Sequence, residues 1–344
     1  VSLEWVWFLL VGLLLAIYAA TDGYDLGIGV LYPFLARSEA DRRVLRQSIG
    51  PVWDGNEVWL LVAGGALFGA FPLAYANAMS AFYLAVMLVL FGLILRAVSL
   101  EFRSHGSTAW AFAFDAAFFL GSLVPALLFG VAVGNLIEGI GMRAARGGPR
   151  ITGSSLLALI TPYTLLVGLT GLAMFLMVGA SWAALKTEGE LQRRSAAARS
   201  LTQVLFVVLF LALTALTAVN SVAKEQLSNA LGGPAGWLAV VVLVAGLGYA
   251  RWAMLAKNDW RAFVGTVVAI LGLIGIGAAG MYPALIRSDM GAGAAVTVTN
   301  AASGHLTLVL MLVVAVIILP VVIAYSVYVS RVFSGRVGPQ DAEY

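Results

Sequence analysis

Six ionisable side chains, Asp22, Asp25, Asp54, Glu57, Arg96 and Asp115, fall within runs of otherwise apolar residues. A charge in hydrocarbon is costly unless it is paired or hydrated, so each needs a chemical reason to be there. Carboxylates beside a guanidinium, away from bulk water, can hold and pass protons, because burial favours the neutral acid while the cation favours the anion. Asp22 and Asp25 are three residues apart and share a helix face, as do Asp54 and Glu57. The second pair sits in Pro51-Val52-Trp53-Asp54-Gly55-Asn56-Glu57. Proline suits a first helical turn, and acids there complement the helix dipole. Arg96 lies toward the same end of the third apolar run. Acids from two helices and a base from a third, with Asp25, Asp54 and Arg96 foremost, are therefore expected to meet at one depth. Simpler roles compete: Asp54 and Glu57 as first-turn residues in the headgroup layer, Arg96 reaching out to phosphates, and Asp115 as an interfacial acid.

Redox-metal chemistry has little to work with. The two histidines, His105 and His305, fall at the ends of apolar runs, and there is no cysteine. Without a mid-span imidazole or thiolate, the chain is a poor candidate to hold haem, copper or non-haem iron by itself. Its nine methionines read as packing residues. The glycine-rich stretches Ala63–Gly69 and Gly272–Gly280 follow no strand, so they read as close-packing helix faces and not as nucleotide cradles.

The elements that must position these residues are set by composition. Of 344 residues 61% are hydrophobic and 11% charged, with a mean hydropathy of +0.97; soluble domains carry about 25% charged residues. That excludes a soluble enzyme, a disordered chain and a nucleic-acid binder, and a net charge of +3 names no acidic partner. Nine stretches are long and apolar enough to span a membrane: 4–36, 51–71, 79–100, 108–134, 155–184, 201–223, 236–256, 260–286 and 304–331. The first, with Glu4 and no Lys or Arg before Arg37, is expected to be a spanning helix and not a cleaved leader. Unbroken apolar runs exclude a barrel, so the expectation is an all-α integral membrane protein. Fifteen of the 20 Lys and Arg residues, among them Arg37, Arg103, Lys186, Arg199 and Arg331, fall on one side; Arg143, Arg146, Arg150, Lys224 and Arg287 fall on the other. The basic side marks the cytoplasm, which puts the N-terminus outside and the C-terminus inside. All six ionisable groups fall in the first four spans, and the interiors of the last five have none. The connections 36–50, 135–154, 185–200 and 287–303 are too short for a soluble domain, and Gly291–Ser303 reads as a flexible outer loop.

Three stretches, TDGYDLGIGVLYPFL, IGPVWDGNEVWLLVAGGALFGAFPLAYANAMSAFYL and LILRAVSLEFR, resemble subunit II of the cytochrome bd-type quinol oxidases, and the likeness continues through FDAAFFLGSLVPALLFGVAVGN. It is strong over residues 18–135 and looser beyond 155, where TPYTLLVGL, Tyr282-Pro283 and TNAASGHLTL carry it. The resemblance implies two pseudo-symmetric four-helix bundles plus a peripheral helix, here 1–135, 155–286 and 304–344. It also implies a partner subunit I that carries all the haems, of b and d types, and the quinol-oxidising loop, with small single-helix subunits as further partners. The complex would oxidise quinol and reduce dioxygen to water in a bacterial cell membrane, taking its protons from the cytoplasm. By motif match, the polar cluster is Asp25, Trp53, Asp54, Arg96 and Asp115, with Asp22 and Glu57 adjacent. A proton route along it and a structural quinone beside it are both implied. Many relatives have Gln where this chain has Glu57, so that charge is not expected to be required.

Two other classes fit the residues alone. A proton-coupled secondary transporter would also use intramembrane acids near an arginine and glycine-interrupted helices. A pure assembly partner would use the acids only to lock the fold. Co-purification with a haem-bearing subunit separates the first from an oxidase subunit.

Overall fold

A computed structural model of the chain describes residues 2–105, 108–143, 148–151, 155–289 and 295–338. The helices among them are α1 (Leu3–Leu35), α2 (Glu39–Ile49), α3 (Trp53–Ala70), α4 (Pro72–Ala81), α5 (Tyr83–Phe102), α6 (Thr108–Glu138), α7 (Pro162–Lys186), α8 (Gly189–Val219), α9 (Lys224–Gly232), α10 (Pro234–Leu255), α11 (Asp259–Met281) and α12 (His305–Val332). Two short 3-10 turns, Arg103–His105 and Leu156–Leu159, and two small antiparallel hairpins, β1 (Met142–Arg143) with β2 (Arg150–Ile151) and β3 (Ala284–Ile286) with β4 (Val296–Thr297), accompany them.

Eight helices among the described residues, α1, α5, α6, α7, α8, α10, α11 and α12, are long and apolar enough to cross a membrane. The stretch expected as the second span forms α3, whose first turns carry Asp54, Asn56 and Glu57. The polar residues that make this helix interesting also lower its apolar character. Some expected connections prove to be structured. Residues 36–50 hold α2, which opens on a Ser38–Asp41 capping box. Most of 185–200 is the beginning of α8, and the described part of 287–303 includes β4. Arg146 and residues 291–294 of the expected outer loop lie outside the described residues.

Helix α1 is the axis of the fold. Every residue from Asp22 to Tyr32 is buried, and the helix packs against α3, α6 and α7. Small residues permit this closeness: a Cβ on Gly27 would overlap the Phe175 carbonyl of α7. Where α6 closes on α5, a Cβ on Gly121 would lie 2.6 Å from the Gly92 carbonyl oxygen and 2.8 Å from the Arg96 nitrogen. Farther along the chain α7 packs on α8 and α11, and α10 pairs closely with α11. Helix α12 stands apart, with Leu308 its buried residue. It is fastened at its ends. Trp7 Nε1 donates to the Leu308 carbonyl (3.1 Å). Past the other end, Lys186 Nζ donates to the Phe333 carbonyl and the Val337 amide donates to the Lys186 carbonyl (2.7 Å).

Candidate functional site

The buried side of α3 presents Asn56, Trp59 and Ala63 to α1, with Glu57 on its flank. There Arg96 of α5, with no exposed surface, places Nη1 2.6 Å from Asp22 Oδ1 and Nη2 3.0 Å from Glu57 Oε2. Asp22 is equally buried, whereas the Glu57 side chain retains 23% exposure. Asp25 has no exposed surface and is held by a neutral group: Asn56 Nδ2 donates to its Oδ2 (2.8 Å) and to Tyr24 Oη (2.6 Å). Tyr24 stacks on Trp182 of α7, with centroids 4.1 Å apart and planes 9° off parallel. Four buried polar atoms here, Tyr18 Oη, Asp22 Oδ2, Asp25 Oδ1 and Arg96 Nε, have no hydrogen-bond partner among the described residues. In a packed interior such atoms are exceptions that call for a reason.

A second cluster lies at the end of the same helices. Arg103, which caps α5, donates to both oxygens of Asp115 on α6 through Nε (2.6 Å) and Nη2 (3.1 Å). Its Nη2 also donates to Glu39 Oε2 of α2 (2.9 Å), and its Nη1 pairs with Oε1 of the same carboxylate. Tyr32 Oη donates to Asp115 Oδ1 (2.9 Å), and Arg42 Nε lies 3.4 Å from Asp115. The hydrogen bonds from Arg103 hold the Glu39 carboxyl below the usual carboxylate range. Burial opposes the charge on Arg103, but Asp115 and Glu39 outweigh it and hold that guanidinium protonated more firmly than usual. Arg46, whose burial is less compensated, is held less firmly.

The expected single cluster is therefore two. Arg96 meets Asp22 and Glu57, Asp25 meets Asn56, and Asp115 belongs with Arg103. Tyr32, the α1 residue that reaches Asp115, is ten residues past Asp22, ~15 Å along the helix. Asp54 does not join either cluster: it is exposed, because it precedes the inward Asn56 by two residues and so points to the opposite side of α3. Trp53 is half-buried. Of the five residues expected around a structural quinone, Asp25 and Arg96 are buried in the core, Asp115 lies with Arg103, Asp54 is exposed and Trp53 is half-buried. Among the described residues no group of three His, Cys, Asp or Glu side chains is arranged to hold a metal.

Sequence reasoning does not bring Tyr24, Asn56 and Trp182 to the site, nor Arg103, Glu39 and Arg42 to Asp115. Arg103 leaves a signal, seven residues beyond Arg96 on the same helix face. Asn56 leaves a weaker one, being the sole amide in a turn of acids. A third buried pair, Arg199 with Asp259 (3.0 Å), joins the starts of α8 and α11 and also takes Gln192 (3.0 Å) and Arg336 (3.4 Å).

The sequence model of the family described as cytochrome bd terminal oxidase subunit II matches residues 3–333. The chain belongs to this family. It is 33% identical over 368 residues to the cytochrome bd-I ubiquinol oxidase subunit 2 of Escherichia coli K12, covering 99% of this chain and 97% of the relative. It is 32% identical to the cytochrome bd ubiquinol oxidase subunit 2 of Bacillus subtilis, covering 99% and 98%. A chain from the solved bd oxidase of Geobacillus thermodenitrificans shares the fold, with a TM-score of 0.76 at 17% identity over 97% of this chain and 99% of that one. As a subunit II of a cytochrome bd oxidase, the chain is a multi-pass protein of the bacterial cell membrane, part of a respiratory oxidoreductase complex, with a subunit I as partner.

Proposed function

We propose that this chain is the haem-free half of a quinol:oxygen oxidoreductase. In this reading the partner subunit holds the b and d haems and oxidises quinol, and the polar core of this chain carries protons from the cytoplasm for oxygen reduction. The chain crosses the membrane nine times, with α3 as the ninth span. It forms two four-helix bundles and a peripheral α12, its N-terminus outside and its C-terminus in the cytoplasm. Fifteen basic residues on one side against five support that orientation.

The observation that carries the proton-route reading is Asp22, Asp25, Glu57 and Arg96 drawn together in the buried core of a membrane bundle. Three carboxylates around one guanidinium exceed what pairing alone would need. The partly exposed Glu57 is the entry from water, and its contact with Arg96 leads to Asp22. Asp25, one turn nearer the cytoplasmic end of α1, stands on the entry side of Asp22. Asp54, exposed on the first turn of α3, collects protons at the mouth. Asp115 and the Arg103 network fix the bundle end beside that mouth. Expression with and without the partner tests the assignment. The isolated chain is expected to purify without haem absorbance, and the complex to co-purify with all of it and to consume oxygen with quinol. A stoichiometric haem spectrum from the isolated chain would overturn the haem-free reading.

A further inference from the structure

Charge balance in the polar core goes further than the route. Asp22 is paired with Arg96 at 2.6 Å, and together they are neutral. Glu57 has the second guanidinium nitrogen at 3.0 Å, and 23% of its side chain is left uncovered by this chain. Asp25 has neither advantage. It is fully buried, and its donor is the uncharged amide of Asn56. The groups that face it are Asp22 on its own helix, Asn56 and Glu57 on α3, and Arg96 on α5. From α7 and α11 come only the rings of Trp182 and Phe263, through Tyr24. Other cations nearby are engaged elsewhere, Arg103 with Asp115 and Glu39, and Lys186 with the Phe333 carbonyl. An ionised Asp25 would be a second anion beside Asp22, buried without a cation of its own, and such a group takes up a proton instead.

We infer that the resting protein carries a bound proton on Asp25, and that Asn56 is the positioning residue that holds this acid in place. The inference deepens the proton-route reading and rests on the same core, although a resident proton can exist whether or not it moves in turnover. The geometry fits a protonated side chain. Each of the two aspartates has one oxygen bonded and one without a partner among the described residues, but Asp22 accepts from the Arg96 guanidinium and Asp25 Oδ2 only from the Asn56 amide, which a neutral acid's carbonyl oxygen can accept without a counter-charge. The Asn56 amide bonds Tyr24 as well, and the stack of Tyr24 on Trp182 locks the arrangement between α1, α3 and α7.

Infrared difference spectra of the purified two-subunit complex, wild type minus Asp25→Asn at neutral pH, test this. The expected result is loss of a protonated-carboxyl C=O band that shifts in D2O. Loss of carboxylate stretches instead would mean an ionised Asp25 and would overturn the inference. Asn56→Leu is expected to keep the acid band and move it to higher frequency, since its C=O loses a donor; an unmoved band removes Asn56 from the positioning role. Should Asp25→Asn fail to assemble, Asp25→Glu in protein carrying 13C-labelled aspartate serves instead. The acid band is then expected to lose its isotope shift, and a band that keeps the shift belongs to another aspartate and overturns the inference. Oxygen uptake separates the two readings. An Asp25→Asn complex that loses the acid band but turns over at full rate keeps the resident proton and sinks the route, whereas loss of carboxylate stretches with slowed turnover does the reverse.

Discussion

Arg96 and Arg103 sit two helical turns apart on one side of α5, and each binds two carboxylates, yet the two surroundings differ in every respect that matters to a charge. Arg103 is joined by Arg42, and one of its carboxylates, Glu39, is 52% exposed. Arg42, Arg46 and Arg103 there outnumber Glu39 and Asp115, and solvent can absorb the imbalance. Around Arg96 the guanidinium and Asp22 have no exposed surface, and a further buried acid, Asp25, has only an amide beside it. The same residue types thus make an ordinary fastening at the helix end and an acid-rich, water-poor core two turns deeper. The end has cations to spare, whereas the core has more acids than cations.

Removing each arginine tests that contrast. Arg96→Ala would leave Asp22 and Glu57 without their cation, and breaking a buried pair in this way costs about 3–5 kcal/mol. The expected outcome is little assembled complex, read as haem per unit of membrane protein. Arg103→Ala is expected to assemble, with a cost of roughly 1–3 kcal/mol, because Asp115 keeps Tyr32 and Arg42. Thermal unfolding of the purified complex measures it. Equal damage from both variants would erase the distinction between the two clusters.

How much of this is legible in the sequence depends on whether a residue's cost or only its position has to be known. The long apolar runs make the helices legible, and acids inside them mark Asp22, Asp25 and Glu57 because charge in hydrocarbon stands out. Depth does not follow as easily. Asp115 and Asp25 both lie inside apolar runs, but the packing of α1, α5 and α6 places Asp115 on Arg103 and leaves Asp25 to the Asn56 amide. Asp54 departs from expectation by angle, since two residues along α3 separate the buried face from the exposed one. Asn56 and Tyr24 carry no charge, so nothing in an apolar run flags them, although they are what holds Asp25. The ion pair of Arg199 and Asp259 joins positions 60 residues apart, which no local spacing rule connects.

The smallest effect belongs to the exposed partner of Arg103. Glu39→Gln is expected to cost about 0.5 kcal/mol or less at neutral pH, as half-exposed pairs do. The native state holds the Glu39 carboxyl below its ordinary value of 4.5. Its contribution is therefore present above that value and lost as the pH falls through the native one. The difference in thermal midpoint between wild type and Glu39→Gln should hold from neutral pH down to the ordinary carboxylate value and narrow progressively below it. A difference that widened would mean the carboxylate is not stabilised by Arg103.

The central claim is that the core around Arg96 delivers protons for oxygen reduction, and quinol-driven oxygen uptake per haem by the Asp25→Asn complex, from about pH 6 to about pH 9, tests it most directly. Asparagine keeps the shape of the neutral acid and cannot exchange a proton, so the complex should assemble with normal haem content and turn over more slowly. The loss should grow toward high pH, where protons are scarce. A profile that runs parallel to wild type at full rate across that range would contradict the account and leave Asp25 a structural residue.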